Sequence, residues 1–120
     1  MASVKTFEFK SSVVFEDDVQ EITFLAKGFV DEEKNVIYFK NEDNSYKFIL
    51  GDVLEVYFND SKYVFELNKK TLAYVNSEGF TFNTSVYTTK LEINSNQINI
   101  EYEMDFNSFK GKYAINLMWH

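Results

Sequence analysis

Apolar residues alternate with polar ones along nearly the whole chain, and the breaks between alternating runs span only a few residues. No other feature restricts the possible folds so severely. The clearest example is INIEYEMDFNSFKGKYAINLMW, residues 98–119. Ile98, Ile100, Tyr102, Met104 and Phe106 alternate with Asn99, Glu101, Glu103 and Asp105. After a short polar break, Tyr113, Ile115, Leu117 and Trp119 resume the pattern. A period of two residues puts one face of a strand on a core and the other in solvent, and two such runs around a polar break form a hairpin.

The pattern recurs with turn signals every eight to fourteen residues. Phe7, Phe9, Val13 and Phe15 share one parity, which ends at EDDVQ. Ile22, Phe24 and Ala26 follow, before Gly28 and the polar DEEKN. Val36 to Phe39 is short. Tyr46, Phe48 and Leu50 lead into Gly51-Asp52, a two-residue hairpin signal. Leu54, Val56 and Phe58 run to NDSK, and Tyr63, Phe65 and Leu67 to NKK. Leu72 to Val75 stops at NSEG, and Phe80, Phe82, Thr84 and Val86 open a long strand that reaches Ile93. With the hairpin of residues 98–119 this makes ten strands. DDVQEITFLAKG also fits a short capped helix, but ITF is β-prone and its neighbours alternate, so a strand is expected there.

Connections of two to five residues cannot span the crossover that parallel strands require. Successive strands must therefore run antiparallel, each beside the next. Ten strands in an open sheet would leave two long edges of unpaired amides, which invite aggregation. The first and last strands are both long and aromatic on one face, as a closing pair would be. The expected fold is all-β: one domain over residues 1–120, an up-and-down antiparallel β-barrel of about ten strands.

Composition agrees and narrows the function classes. Thirteen Phe, eight Tyr and one Trp suit a pleated, half-buried surface. Net charge is −7, with no Arg and with the lysines scattered among more numerous acids. Phosphate recognition needs concentrated basic surface, so neither a nucleic-acid partner nor docking on anionic membrane is expected. There is no Cys, which excludes disulfides, thiolate catalysis and cysteine metal sites. MASVKTFEFK lacks the apolar centre of a signal peptide, and no apolar run nears the ~18 residues of a membrane helix. A cytoplasmic protein is the expectation. Abundant Lys, Asn, Phe, Ile and Tyr without Arg or Pro also points to AT-rich codons, so part of this bias is genomic rather than chemical.

The chemistry-bearing residues offer little to catalysis. Glu101, Glu103 and Asp105 share a strand face, but it is the polar one, where a solvated exterior is expected rather than an acid–base pair. Glu16-Asp17-Asp18 and Asn41-Glu42-Asp43-Asn44 lack calcium-loop spacing, and Asp and Asn favour turns for backbone reasons. His120, the only histidine, is the last residue, where a frayed end is expected. No nucleophile elbow exists, and Gly51-Asp52 and Ser77-Glu78-Gly79 are too short for phosphate loops. No cofactor or metal is expected.

Certain residues carry a family resemblance. They are Glu16-Asp17 after the first strand, the strand ending at Gly28, Tyr74-Val75-Asn76-Ser77-Glu78-Gly79, and the I-x-I-x-Y-x-M strand from Ile98 to Met104. Over most of its length the chain resembles the YwiB-like group of small bacterial proteins of unknown function. That resemblance implies a calycin-like, lipocalin-type β-barrel and carries no established activity. The chain departs from the group in lacking an arginine near Phe58 and in its shorter turns between Tyr63 and Tyr74.

The inward face remains. Parity puts Ser11 with Phe7, Phe9, Val13 and Phe15, puts Thr84 and Thr88 with Val86, and puts Tyr63, Tyr102 and Tyr113 with their apolar neighbours. A ligand cavity is mostly apolar with a few convergent polar groups, so these six residues are the candidate ligand-binding set and a small apolar molecule the candidate ligand. A neutral one is expected, because no buried Arg is available to clamp a carboxylate. The G-x-W signature of secreted lipocalins is also missing. Side chains that fill the barrel fit the same pattern. In that case the molecule is a scaffold engaging a protein or a second copy through its exterior, where Tyr57, Tyr74 and Tyr87 lie. Enzymatic activity is the least supported reading.

Overall fold

The computed structural model of the chain describes residues 2–77, 79–106 and 109–120. Glu78 of the NSEG turn and the side chain of Phe106 lie outside the described residues. The strands are β1 (Ala2–Phe15), β2 (Asp18–Asp31), β3 (Val36–Asn41), β4 (Asn44–Leu50), β5 (Leu54–Phe58), β6 (Ser61–Phe65), β7 (Lys70–Ser77), β8 (Phe80–Asn94), β9 (Gln97–Phe106) and β10 (Phe109–Trp119). Each pairs antiparallel with the next, and β10 returns to β1, so the ten strands form a closed up-and-down barrel. DDVQEITFLAKG is strand, not helix.

Closure runs from Phe7 opposite Trp119 to Val14 opposite Lys112. Thr6 and His120 extend it by exchanging backbone N–H···O bonds of 3.0 and 3.1 Å. The expected frayed end is therefore corrected: the His120 backbone is tied into the sheet, while its side chain stays exposed.

Alternation produces the core. Phe7, Phe39, Phe48, Phe65, Ile37, Leu54, Ile98, Ile100 and Leu117 are fully buried, coming from seven different strands. Phe7 stacks on Phe39 at 5.0 Å between centroids, and Phe39 on Phe48 at 6.1 Å. Burying each such side chain contributes about 1.5–3 kcal/mol. The turns owe their shape to residues that tolerate a left-handed backbone. Asn35, Asn59 and Asn68 have φ of 55°, 53° and 60°. Asn59 also accepts from the Ser45 amide at 2.8 Å and donates to Asn44 Oδ1 at 2.9 Å, which joins two turns at one end of the barrel.

Strand lengths are unequal. β1 and β2 have 14 residues and β8 has 15, whereas β5 and β6 have five. The β1–β2, β7–β8 and β9–β10 turns lie at one end, here the upper end. There the longer strands β7–β10, β1 and β2 rise above the short β3–β6 half, and the molecule measures 44 × 30 × 27 Å. Several inward expectations fail for this reason. Ile22, Phe80 and Phe82 have inward parity but are exposed, because they sit above the level at which β3–β6 face them. Leu67 is exposed because β6 ends at Phe65, leaving only an isolated parallel bridge from Leu67 to Thr88. Leu50 pairs with Leu54, so Gly51-Asp52 belongs to a three-residue connection that includes Val53.

Two places depart from regular pairing. In β8, Thr88 lies opposite Tyr102 but Lys90 lies opposite Glu101, so Thr89 is an extra, bulged residue. The inward set consequently switches from Thr84, Val86 and Thr88 to Leu91. Among the described residues the β6–β7 seam has a single ladder pair, Lys62 with Tyr74. Side chains complete it: Asn76 N–H donates to Ser61 Oγ at 3.0 Å, and the Thr71 hydroxyl donates to the Val64 carbonyl.

Gly28 marks the point where β2 meets β3, opposite Phe39. A Cβ there would lie 2.1 Å from the Tyr38 carbonyl oxygen and 2.6 Å from Phe39 Cβ. Gly28→Ala should therefore cost about 3 kcal/mol or more, since backbone must move. At Gly51 the nearest atom would be 3.6 Å away, so Gly51→Ala should be close to neutral. Urea unfolding of the two variants measures the contrast.

Candidate functional site

The expected site residues divide once the registers are known. Val13, Tyr113, Tyr102 and Thr88 form one inward row across β1, β10, β9 and β8. Tyr113 stacks on Tyr102 at 5.2 Å and 11°, and Tyr63 of β6 approaches Tyr102 to 6.5 Å. Phe65 supports Tyr102 from below at 4.7 Å. Tyr63, Thr88, Tyr102 and Tyr113 are thus brought together. Ser11, opposite Ile115, is half-buried on the adjacent row. Thr84 is buried too, but its hydroxyl donates to the Asp105 carbonyl at 2.8 Å, so it serves the sheet and not a shared site.

Thr88 is the exceptional member. Its side chain is fully buried, and among the described residues Oγ1 is the buried side-chain oxygen without a hydrogen-bond partner. Its backbone is occupied, since its carbonyl accepts from Asn68 N–H at 2.8 Å. A buried hydroxyl left unpaired costs about 1–3 kcal/mol. The bulge at Thr89 fixes this geometry by ending one parity of β8 at Thr88.

Half-buried rings continue from this row along the upper rim of the short strands. Phe24 lies 5.4 Å from Tyr46, Tyr46 5.4 Å from Phe58, and Phe58 5.4 Å from Tyr63. Beyond Tyr113, Phe15 meets it edge-on at 6.3 Å. Gly111 makes room for this last pair, because a Cβ there would lie 2.8 Å from the Tyr113 ring and 3.1 Å from Phe15. The arc therefore follows the level at which the short strands end, beside the tall strands. Sequence parity assigned Phe15, Phe24, Tyr46 and Phe58 to a common core. Their one distinguishing signal was position, since Phe15 and Phe58 end strands at turns and Tyr46 follows one closely.

Burial raises the pKa of Tyr102 far above its ordinary value, with smaller contributions from Tyr63 and Tyr113. Burial also raises Tyr46, Tyr113 and Tyr63, the last helped by Tyr113. These phenols are neutral groups that can donate or accept hydrogen bonds; they are not bases. Glu101 and Asp105 are exposed on the outer face and Glu103 is half-exposed there. Among the described residues no three His, Cys, Asp or Glu side chains are placed to hold a metal ion, and no helix is long and apolar enough to cross a membrane.

The raised tyrosines set a pH dependence. Unfolded tyrosine ionises near pH 10.0, whereas buried Tyr102 resists ionisation. The folded chain therefore holds more protons than the unfolded chain above that pH, and stability must fall as pH rises. The contribution is complete below pH 10.0 and lost progressively towards the folded-state value. Urea midpoints measured from pH 8 to 11 should drop at the alkaline end, and Tyr102→Phe should flatten the drop.

Comparison with known proteins adds to the fold. No family model matches the sequence, and no curated protein matches it either. The chain superimposes on the crystal structure of the YwiB protein from Bacillus subtilis with a TM-score of 0.64, covering 99% of this chain and 93% of that one. At 13% identity, the likeness is one of fold.

Proposed function

We propose that the protein binds a small, largely apolar, uncharged molecule at the upper mouth of the barrel, seated on the arc of half-exposed aromatic rings. The observation that carries this reading is the partnerless Thr88 hydroxyl, in the inward row of Tyr102 and Tyr113. A packed interior ordinarily satisfies or removes such a group. A ligand with one polar atom would satisfy it once the half-exposed Tyr113 or Tyr63 ring rotates aside. The β-bulge beside Thr88 supports the reading, because bulges concentrate next to binding sites. So does the architecture, since barrel mouths are a recurrent place for ligands. Neutral phenols and the absence of arginine favour an uncharged ligand over a carboxylate. The molecule is on this reading a calycin-type binder, not a catalyst. Its acidity disfavours nucleic acid or an anionic membrane surface as partner, and the cytoplasm is the proposed compartment.

A second reading makes the barrel a filled scaffold that engages a protein through outer tyrosines. Tyr57 favours it, lying 5.7 Å from Lys62 Nζ and 6.0 Å from Lys47 Nζ. Tyr74 is also exposed on that exterior.

The experiment is native mass spectrometry of freshly purified protein, paired with Thr88→Val. Mass lost on denaturation, or uptake of a neutral naphthalene dye that Thr88→Val weakens, supports the ligand site. Failure of both, with Thr88→Val stabilising by about 1 kcal/mol, would mean that the hydroxyl is merely a packing cost. Changing Tyr57, Tyr74 and Tyr87 to Ser then tests the exterior, and unchanged association would eliminate that reading in turn.

A further inference from the structure

β3 pairs with β2 only from Gly28 to Asp31. From Asp18 to Lys27, β2 is bonded to β1 on one side and, among the described residues, has no strand on the other. Its substantial contacts are with β1 and β3 alone. The barrel closes, yet this stretch remains an open edge.

The side that is open can be read from the hairpin. Phe15 and Asp18 close the two-residue β1–β2 turn, and hydrogen-bonded pairs alternate from there. Odd-numbered residues from Val19 to Lys27 consequently direct N–H and C=O away from β1. Val19, Ile22 and Leu25 on this stretch are 58%, 62% and 66% exposed. Edges of this kind are usually blunted with proline, bulges or several lysines. Here Lys27 is the only lysine, and Glu21 is already paired with Lys10 at 3.3 Å.

We propose that this edge pairs with the same edge of a second copy, antiparallel about a two-fold axis at Ile22, joining the two barrels through a continuous sheet. Such an axis is perpendicular to the sheet, so residues facing each other must share a side and the two numbers must sum to an even value. Centred on Ile22, Val19 faces Leu25 and Asp17 faces Lys27 on the outer side, while Ile22 faces itself on the inner side. The apolar pair and the charged pair are thus matched on the outer side, with Glu21 facing Thr23 between them, while Gln20 faces Phe24 and Asp18 faces Ala26 on the inner side. Sliding the axis to Thr23 puts Val19 against Lys27 and Glu21 against Leu25. Sliding it to Glu21 puts Leu25 against Asp17. Moving it further, to Phe24, would bring Val19 against Phe29, which is already paired with Tyr38 of β3. Ile22 also lies at the middle of the unpaired stretch. This inference does not rest on the ligand reading: the edge is drawn from backbone pairing, although Phe24 on it also belongs to the aromatic arc.

Sedimentation equilibrium of the whole chain over a dilution series tests it. A species of twice the 14.2 kDa chain mass is expected. Ile22→Lys should weaken association, raising the dissociation constant by about tenfold or more, because like charges directly opposite on neighbouring strands repel. Lys27→Asp should weaken it as well, and Asp17→Lys combined with Lys27→Asp should restore it. Circular dichroism checks that each variant keeps its sheet. A wild-type chain that stays monomeric at the highest concentration overturns the proposal. So does a dimer that Ile22→Lys and the charge swap leave unchanged, which would place the interface elsewhere.

Discussion

The ladder between β1 and β10 is the interaction on which the rest of the structure depends. Every other pairing joins strands that are already neighbours in the chain, and each could form as an isolated hairpin. Isolated hairpins are marginal in water. Only when Phe7 comes to lie opposite Trp119 does the sheet turn its inward face away from solvent on all sides. Phe7 then stacks on Phe39, which stacks on Phe48, so closure and the aromatic core are one event in energetic terms.

The unequal strand lengths explain both features to which function is attached here. Because β3–β6 stop early, Tyr46 and Phe58 end up at a rim instead of inside a column, and their half-buried rings meet Phe24 and Tyr63 there. Because β3 covers only four residues of β2, the upper part of β2 lacks its second neighbour. A barrel with strands of one length would have neither a rim of half-exposed rings nor an open edge.

Much of this was legible in the sequence, for a definite reason. The period of two residues is a local property, so ten strands, their antiparallel order and their closure followed from alternation and turn length alone. Parity also placed Tyr63, Thr88, Tyr102 and Tyr113 on the inside. It could not place them at one height. Height depends on register, and the bulge at Thr89 shifts register without leaving a mark in composition. The same blindness put Ile22, Phe80 and Phe82 in the core, since parity names a face but not what stands opposite it. Thr84 looked equivalent to Thr88 for the same reason. Only the Asp105 carbonyl, brought near by the β8–β9 pairing, separates a satisfied hydroxyl from an unsatisfied one. Gly28 read as a strand end, whereas its role is to let two backbones approach more closely than a Cβ permits.

The position of the closing pair also bears on how the molecule is made. Phe7 belongs to the first of the ten strands and Trp119 to the tenth. A ribosome makes β10 after the other nine strands, so β1 is synthesised long before its partner exists. Until then the aromatic face of β1 has no lid and its outer amides have no acceptor. Contacts between residues so far apart also slow folding, because the entropy of closing the loop is spent before the contact repays it. A nascent barrel of this design thus carries a sticky first strand while the other strands are made, and it closes only once β10 is free.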